Sequence, residues 1–231
     1  MNEKVGIIGT GRLGSALAKR LAPHCSLLLS DSFLGKARQM AKILNADFGN
    51  IRYLFEKADI ILLAIPPEEI CLLIEKEETF LRQGAILVNL ATSLDTHKIR
   101  TCLTRKDIRV IGIKPITQAY ALAHGYQTIF VTSCEDTGLR EKLVPLLREI
   151  GEIVLGDDML VKEINAEATR WGLRLYLSLQ DKLKAMNVPQ KFIDVAIKTV
   201  AVGTILDYPT DEPNPYIEER LKEIKLEESR R

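Results

Sequence analysis

The sequence contains no long hydrophobic run. No apolar stretch approaches the ~20 residues of a membrane-spanning helix, so no membrane partner is expected. Charge of one sign is equally lacking. With 32 Lys and Arg against 31 Asp and Glu the formal net charge is +1, which argues against nucleic acid as a partner, because phosphate recognition shows as a basic excess. Histidine is scarce, three in 231 residues, which leaves a metal site few ligands and none is expected. The four cysteines, Cys25, Cys71, Cys102 and Cys134, are widely spaced and form no C-x-x-C pair. That is the pattern of buried free thiols rather than of disulfides or zinc ligands. The apolar stretch 5–8 is too short for the core of a signal peptide. Together these features point to a reducing cytoplasm.

What remains is the composition of an ordinary globular protein, 46% hydrophobic and 27% charged. A chain of this length can hold one large domain, or a domain of about 150 residues with a smaller companion.

Within it, the first thirty residues carry the strongest signal. An apolar strand over 5–8 runs into Gly9-Thr10-Gly11-Arg12-Leu13-Gly14, a G-x-G-x-x-G spacing, and then into an amphipathic helix over 15–21. A second strand over 25–29 ends in Ser30-Asp31-Ser32. The motif is weak alone and strong between a strand and a helix with an acid about twenty residues on. Gly9 suits the tight turn, Gly11 leaves no side chain between backbone and pyrophosphate, and Gly14 lets the helix pack closely, its N-terminal amides facing the phosphates. Asp31 is placed to accept hydrogen bonds from the adenosine ribose, which favours NAD over NADP; Lys36 and Arg38 lie near enough in sequence to accommodate NADP. The competing possibility is a glycine turn in a doubly wound fold that binds nothing.

Strand and helix patterns then alternate to residue 155, predicting an α/β fold with a doubly wound, mostly parallel sheet of Rossmann type. A helix is expected over 35–44, a buried strand over 59–65, a strand over 85–90 and another over 109–113 ended by Lys114-Pro115. A further strand is expected over 128–132, a helix over 138–150 and a strand over 152–155. Loops at the carboxyl ends of such strands hold the ligands. Ala64 and Pro66, and Ala91 in the polar tip 91–93, are therefore expected beside the cofactor, and Lys114 and Thr117 on the same edge. There Lys114 could bind an acidic substrate and Thr117 the nicotinamide side; a surface lysine and a turn threonine are the plainer alternative. Tyr120 and His124 follow in the same loop.

From residue 158 strand signals stop. Helices are expected over 159–186 and 190–206, broken at Asn187-Val188-Pro189, and a charged helix over 217–231 follows a proline-bearing stretch at Pro209, Pro213 and Pro215. About fifty helical residues make a poor core alone, so these helices are expected to pair with a second copy of the chain. The resulting division is 1–155 for dinucleotide binding, 156–208 for dimerisation and substrate, and 209–231 as a tail.

The order of these motifs, with Lys114-Pro115-Ile116-Thr117-Gln118-Ala119 ahead of Gly125, resembles the pyrroline-5-carboxylate reductase family and its neighbours of 6-phosphogluconate dehydrogenase type. The neighbours include β-hydroxyacid dehydrogenases and deazaflavin-dependent NADP reductases. The resemblance implies hydride transfer from NAD(P)H to a C=N or C=O group of a small substrate, in a homodimer joined through its C-terminal helices. It departs at four places, two of them being Pro66-Pro67 where the family carries Lys-Pro and Lys114-Pro115-Ile116-Thr117-Gln118 where it carries Met-Pro-Asn-Thr-Pro. Ser30-Asp31-Ser32 stands where the family carries an Arg- or Asn-containing turn. Glu167-Ala168-Thr169-Arg170-Trp171-Gly172 stands where it carries a Ser-Gly-Ser-Gly-Pro-Ala loop, which points away from proline formation. Gly156, Asp158, Lys162 and Asn165 resemble the G-x-G-x-x-x-K-x-x-N pattern of β-hydroxyacid dehydrogenases. By that resemblance Lys162 is the proton donor and Asn165 orients the substrate; an exposed lysine on a helix face is the alternative. A nucleotide-sensing or partner-binding protein without catalysis, a deazaflavin-dependent NADP reductase, and a fold that takes S-adenosylmethionine are the other functions the pattern allows.

Overall fold

A computed structural model describes residues 3–208 and 214–229. It divides into two compact units between Ala166 and Glu167, inside a long helix, whereas the sequence pattern places the boundary after Leu155. The expected tail begins at residue 209, and Pro209 and Pro213 lie outside the described residues. Among the described residues no helix is long and apolar enough to cross a membrane.

The first unit opens with β1 (Lys4–Ile8), α1 (Arg12–Leu21), β2 (Ser26–Ser30), α2 (Leu34–Leu44), β3 (Asp47–Phe48), α3 (Ile51–Lys57), β4 (Ile60–Leu63), α4 (Pro67–Glu77), β5 (Ile86–Asn89), α5 (Thr96–Cys102) and β6 (Arg109–Gly112). The strands form one parallel sheet in the order β3-β2-β1-β4-β5-β6, which is the doubly wound Rossmann arrangement. Successive residues of a strand face opposite sides, and here both sides are covered. Ile60 and Leu62 join a cluster with Leu17 and Leu21 of α1, while Ile61 and Leu63 join another with Leu54 and Phe55 of α3 and Ile70 and Ile74 of α4. That is why the strands read as unbroken apolar runs rather than as alternations. The two-residue β3 gives no such signal and was not expected.

Beyond β6 the structure corrects the single-sheet expectation. The strand expected over 109–113 does stop before Lys114-Pro115, as β6, but that pair opens a further strand, β7 (Lys114–Ile116). After α6 (Ala119–Ala123) come β8 (Thr128–Thr132), α7 (Thr137–Leu147) and β9 (Gly151–Leu155). β7 pairs antiparallel with β8, and β8 parallel with β9, in a separate three-stranded sheet. Pro115 is tolerated because β7 is an edge strand of that sheet.

The second unit takes up most of α8 (Leu160–Ala185), then α9 (Gln190–Val195), a π-helical turn over Ala196–Ala201, α10 (Val202–Asp207) and α11 (Pro215–Glu228). The break after α8 falls where expected: Asn187 adopts a left-handed φ of 59°, and Pro189 caps α9. The last helix starts earlier than expected. Pro215 occupies its first turn, and the Asn214 side chain accepts the Tyr216 amide, a common way to satisfy a free helix-end donor.

Candidate functional site: a glycine loop, a carboxylate and a cleft

The glycine loop owes its shape to two close approaches. Gly9 has a φ of +94°, and its amide donates to Ser30 O at 2.8 Å. A Cβ on it would lie 2.4 Å from Ala64 O, so any other residue would be both strained and crowded. A Cβ on Gly14 would lie 1.8 Å from Gly9 O and 3.3 Å from the Ala64 side chain. Loop, first helical turn and the end of β4 are thus in direct backbone contact. Gly11 differs: none of the described residues lies within 4 Å of where its Cβ would be. It caps α1 with no side-chain hydrogen bond to the helix. The amides of Arg12, Leu13 and Gly14 begin the helix as its positive end, the local field that holds phosphate. Arg12 is exposed and Leu13 half-buried.

Asp31 follows β2 and is bound to the loop itself. Its Oδ2 accepts both the Thr10 amide and the Thr10 hydroxyl, each at 2.7 Å, and its Oδ1 accepts the Phe33 amide at 3.0 Å. Burial pushes the carboxyl up. The Thr10 hydroxyl and amide, the Phe33 amide and the charge of Lys36 outweigh it and hold Asp31 below the usual carboxylate value.

A cleft of about 560 Å³ brings Gly9, Gly11, Asp31, Ala64 and Pro66 together along the ends of β1, β2 and β4. Lys36, Asn50 and Glu69 also line it. The sequence offered signals for two of these: Asn50 is the cap of α3, accepting the Tyr53 amide at 2.9 Å, and Glu69 sits in the first turn of α4 behind Pro67. Ala91 lies after β5, where its amide donates to Asn89 Oδ1 at 3.0 Å. Asn89 is fully buried and donates to Leu94 O at 3.0 Å and Thr96 Oγ1 at 3.1 Å. It shapes the loop at the end of β5, and an asparagine ending an apolar strand was the signal for it. A larger cleft, about 920 Å³, opens on the small sheet among Ile116, Ile129 and Ile153. None of the expected site residues lines it.

The expected catalytic residues fall elsewhere. Lys114 is not on a loop: it belongs to β7 and is 0% exposed. Its Nζ lies 3.1 Å from Asp158 Oδ1 and 2.9 Å from Met159 Sδ, and Asp158 Oδ2 accepts the Ser133 hydroxyl at 3.3 Å. A Cβ on Gly112 would lie 2.4 Å from Thr96 Oγ1 and 2.6 Å from Asp158 Oδ2, so the buried ion pair and the Asn89–Thr96 pair meet over a residue with no side chain. The partner that buries this lysine lies far along the chain, where no local pattern reveals it. Thr117 follows β7, its hydroxyl donating to Gln118 O at 3.2 Å. Asn165 Nδ2 donates to Pro115 O at 3.0 Å, tying α8 to β7. Lys162 is exposed on α8 and is not among the residues lining the glycine-loop cleft. Tyr120 and His124 stack, ring centroids 4.0 Å apart, with His124 Nδ1 2.8 Å from Tyr120 O.

The glycine loop has the features a dinucleotide needs: open space over Gly11, no room for a side chain at Gly14, and a carboxylate at the end of the second strand. Comparison with known proteins agrees. The glyoxylate reductase of Pyrococcus horikoshii is 35% identical over 115 residues, which span 48% of this chain and 34% of that protein. The enzyme of the same name from Thermococcus kodakarensis is 33% identical over 115 residues, again 34% of its length. The matching segment thus spans about a third of these curated relatives. Among solved structures, a pyrroline-5-carboxylate reductase from Coxiella burnetii superposes with a TM-score of 0.79 at 16% identity, covering 99% of this chain and 91% of that one. The Plasmodium falciparum pyrroline carboxylate reductase, solved with NADP bound, gives 0.73 at 15% identity over 96% and 84% of the two chains. At such identities the likeness is one of fold, so the resemblance to pyrroline-5-carboxylate reductases holds for architecture and not for family. The sequence profile described as "D-isomer specific 2-hydroxyacid dehydrogenase, NAD binding domain" matches residues 1–119, the stretch that builds the parallel sheet and the glycine loop, and the chain belongs to that family.

Proposed function

We propose that the chain is an NAD(P)-dependent oxidoreductase that transfers hydride to the C=O or C=N group of a small substrate. The observation that carries this is the cleft in which Gly9, Gly11, Asp31, Ala64 and Pro66 converge, a site whose loop and helix end suit a pyrophosphate. The family match over residues 1–119 supports the cofactor class. The relatives named glyoxylate reductase and the fold relatives named pyrroline-5-carboxylate reductase bracket the acceptor group between a carbonyl and an imine. The carboxylate of Asp31 would accept from a ribose hydroxyl and repel a 2′-phosphate, which favours NAD.

Hydride chemistry belongs to the cofactor; the protein must orient the acceptor and supply one proton. Lys162, exposed on α8, is the proposed donor, and Asn165, fixed against the Pro115 carbonyl, holds that helix face in place. Lys114 serves by holding Asp158, and Thr117 follows the other end of the same strand. The helical unit is proposed to form a homodimer, because its helices leave Trp171, Leu177, Phe192 and Val200 exposed.

The test is a spectroscopic assay of NADH and NADPH oxidation with glyoxylate and with 1-pyrroline-5-carboxylate as probes. Turnover with either supports the proposal. Saturable nucleotide binding with no turnover across a panel of small oxo acids and cyclic imines would leave a nucleotide-binding protein without catalysis. Absence of nucleotide binding would overturn the site altogether.

A further inference from the structure

The glycine loop and Asp31 are joined by a contact that neither the motif nor the family description assigns. A carboxylate has two oxygens and about four acceptor positions. In this structure Oδ2 already accepts two hydrogen bonds from one residue, the Thr10 amide and the Thr10 hydroxyl, at 2.7 Å each. Oδ1 accepts one, from the Phe33 amide at 3.0 Å. Oδ2 is therefore filled, and Oδ1 keeps one open position. A ribose offers two neighbouring hydroxyls, and such a carboxylate can accept only one of them. Its remaining contribution to choice is its fixed negative charge. Thr10 is itself buried, and Ser15 Oγ donates to its carbonyl at 2.7 Å, so the residue that grips the carboxylate is held from both ends of its backbone.

We propose that Thr10 is a positioning residue for cofactor choice, its amide and hydroxyl together fixing the Asp31 carboxylate so that it excludes a ribose 2′-phosphate. This rests on the cleft being the nicotinamide dinucleotide site. Exclusion by charge depends on the carboxylate staying where it is, because the cost of bringing like charges together falls as they separate. Without the Thr10 hydroxyl the carboxylate is held only by the Thr10 and Phe33 amides and is less firmly fixed. Lys36, which lines the same cleft and whose charge reaches Asp31, then becomes the natural partner of a 2′-phosphate. Loss of the hydroxyl should therefore tighten NADPH binding more than it weakens NADH binding. Because Asp31 is held below the usual carboxylate value, it stays charged at neutral pH, where the comparison is made.

The experiment measures Kd for NADH and NADPH on the full chain by titration calorimetry, for the unmutated protein, Thr10→Val, Thr10→Ser and Asp31→Ala, and for Thr10→Val combined with Asp31→Ala. The unmutated chain should prefer NADH, and Thr10→Val should narrow that preference by about tenfold, the value of one hydrogen bond to a charged group. Thr10→Ser, which keeps the hydroxyl, should stay within about twofold of the unmutated ratio. In the Asp31→Ala background Thr10→Val should add nothing beyond the same margin, since it acts through the carboxylate. A fold defect would weaken both nucleotides alike, so the ratio separates positioning from damage. If Thr10→Val does not fold, Thr10→Ser and the Asp31→Ala ratio still decide the matter: a serine chain that has lost the preference, or an alanine chain that keeps it, overturns the proposal. An NADH preference that Thr10→Val leaves intact overturns the role of Thr10 alone. An unmutated chain that binds neither nucleotide overturns the site reading itself, and with it this one.

Discussion

The two units put their apolar residues to different use. The first fills two clusters, one on each side of its parallel sheet, with side chains such as Ile7, Leu29 and Leu62 on one side and Phe55, Ile61 and Leu87 on the other. The second has helices of similar apolar spacing, yet among its described residues Ile193 and Ile197 are the only buried apolar side chains, and Trp171 remains 63% exposed. A sheet with helices on both faces closes its own core, while a few helices in sequence have too little interior to do so. Stability in the first unit therefore depends on contacts within the chain. In the second, apolar side chains are left exposed, which is the face the proposed second copy would cover.

The strongest way to break this contrast is at the buried ion pair. Lys114→Ala leaves Asp158 buried and without its cation, and should cost about 4 kcal/mol in urea unfolding, as breaking one side of a buried pair does. The double change Lys114→Met with Asp158→Asn should recover much of that loss, because removing both charges also removes the desolvation penalty. If the single change costs no more than an exposed substitution, the pair is not the structural tie that its complete burial implies.

Next comes Gly14→Ala. The added Cβ would fall 1.8 Å from Gly9 O, forcing the loop and the start of α1 apart. Overpacking of that kind costs about 3 kcal/mol. Nucleotide affinity should be lost with it, since the phosphate-facing amides move. Retained NADH binding, measured by fluorescence titration, would show that the cofactor does not use this loop.

These outcomes bear on how much could be read from the sequence. The glycine loop was legible because its pattern is local, three glycines within six residues between a strand and a helix, although the crowding at Gly9 comes from Ala64 far along the chain. The long helix and its break at Asn187 were legible for the same reason, since an asparagine can take the left-handed turn and a proline starts the next helix. Lys114 was not. Its identity suggested a solvent-facing loop, and only a partner forty-odd residues away explains its burial. The small sheet was missed because β7 is three residues long, contains a proline and pairs antiparallel. Thr10 was legible as a motif position, while its grip on Asp31 depended on how the loop meets the second strand.

A third change addresses the exposed helices directly. Leu177, 55% exposed on α8, becomes a buried interface residue if a second copy of the chain covers this face. Leu177→Asp should then shift the mass measured by light scattering from twice the 25.9 kDa of one chain to a single chain, while NADH binding persists. Should the unmutated protein already run as a single chain at micromolar concentration, the homodimer is excluded and the exposed apolar residues need another partner.

The smallest effect is also the sharpest test of the contrast, because it uses the same substitution in both units. Gly172 lies within α8, and none of the described residues stands within 4 Å of where its Cβ would be. In a helix interior, replacing glycine by alanine gains about 0.5–1 kcal/mol, chiefly by limiting the unfolded chain. If no second molecule packs against that position, Gly172→Ala should raise stability by that amount, whereas Gly14→Ala lowers it. If a second copy presses its backbone onto Gly172, the new methyl group clashes, the gain disappears and the dimer dissociates more readily on dilution. A gain in stability together with an unchanged dimer would place the interface on another face of the helix, away from Gly172.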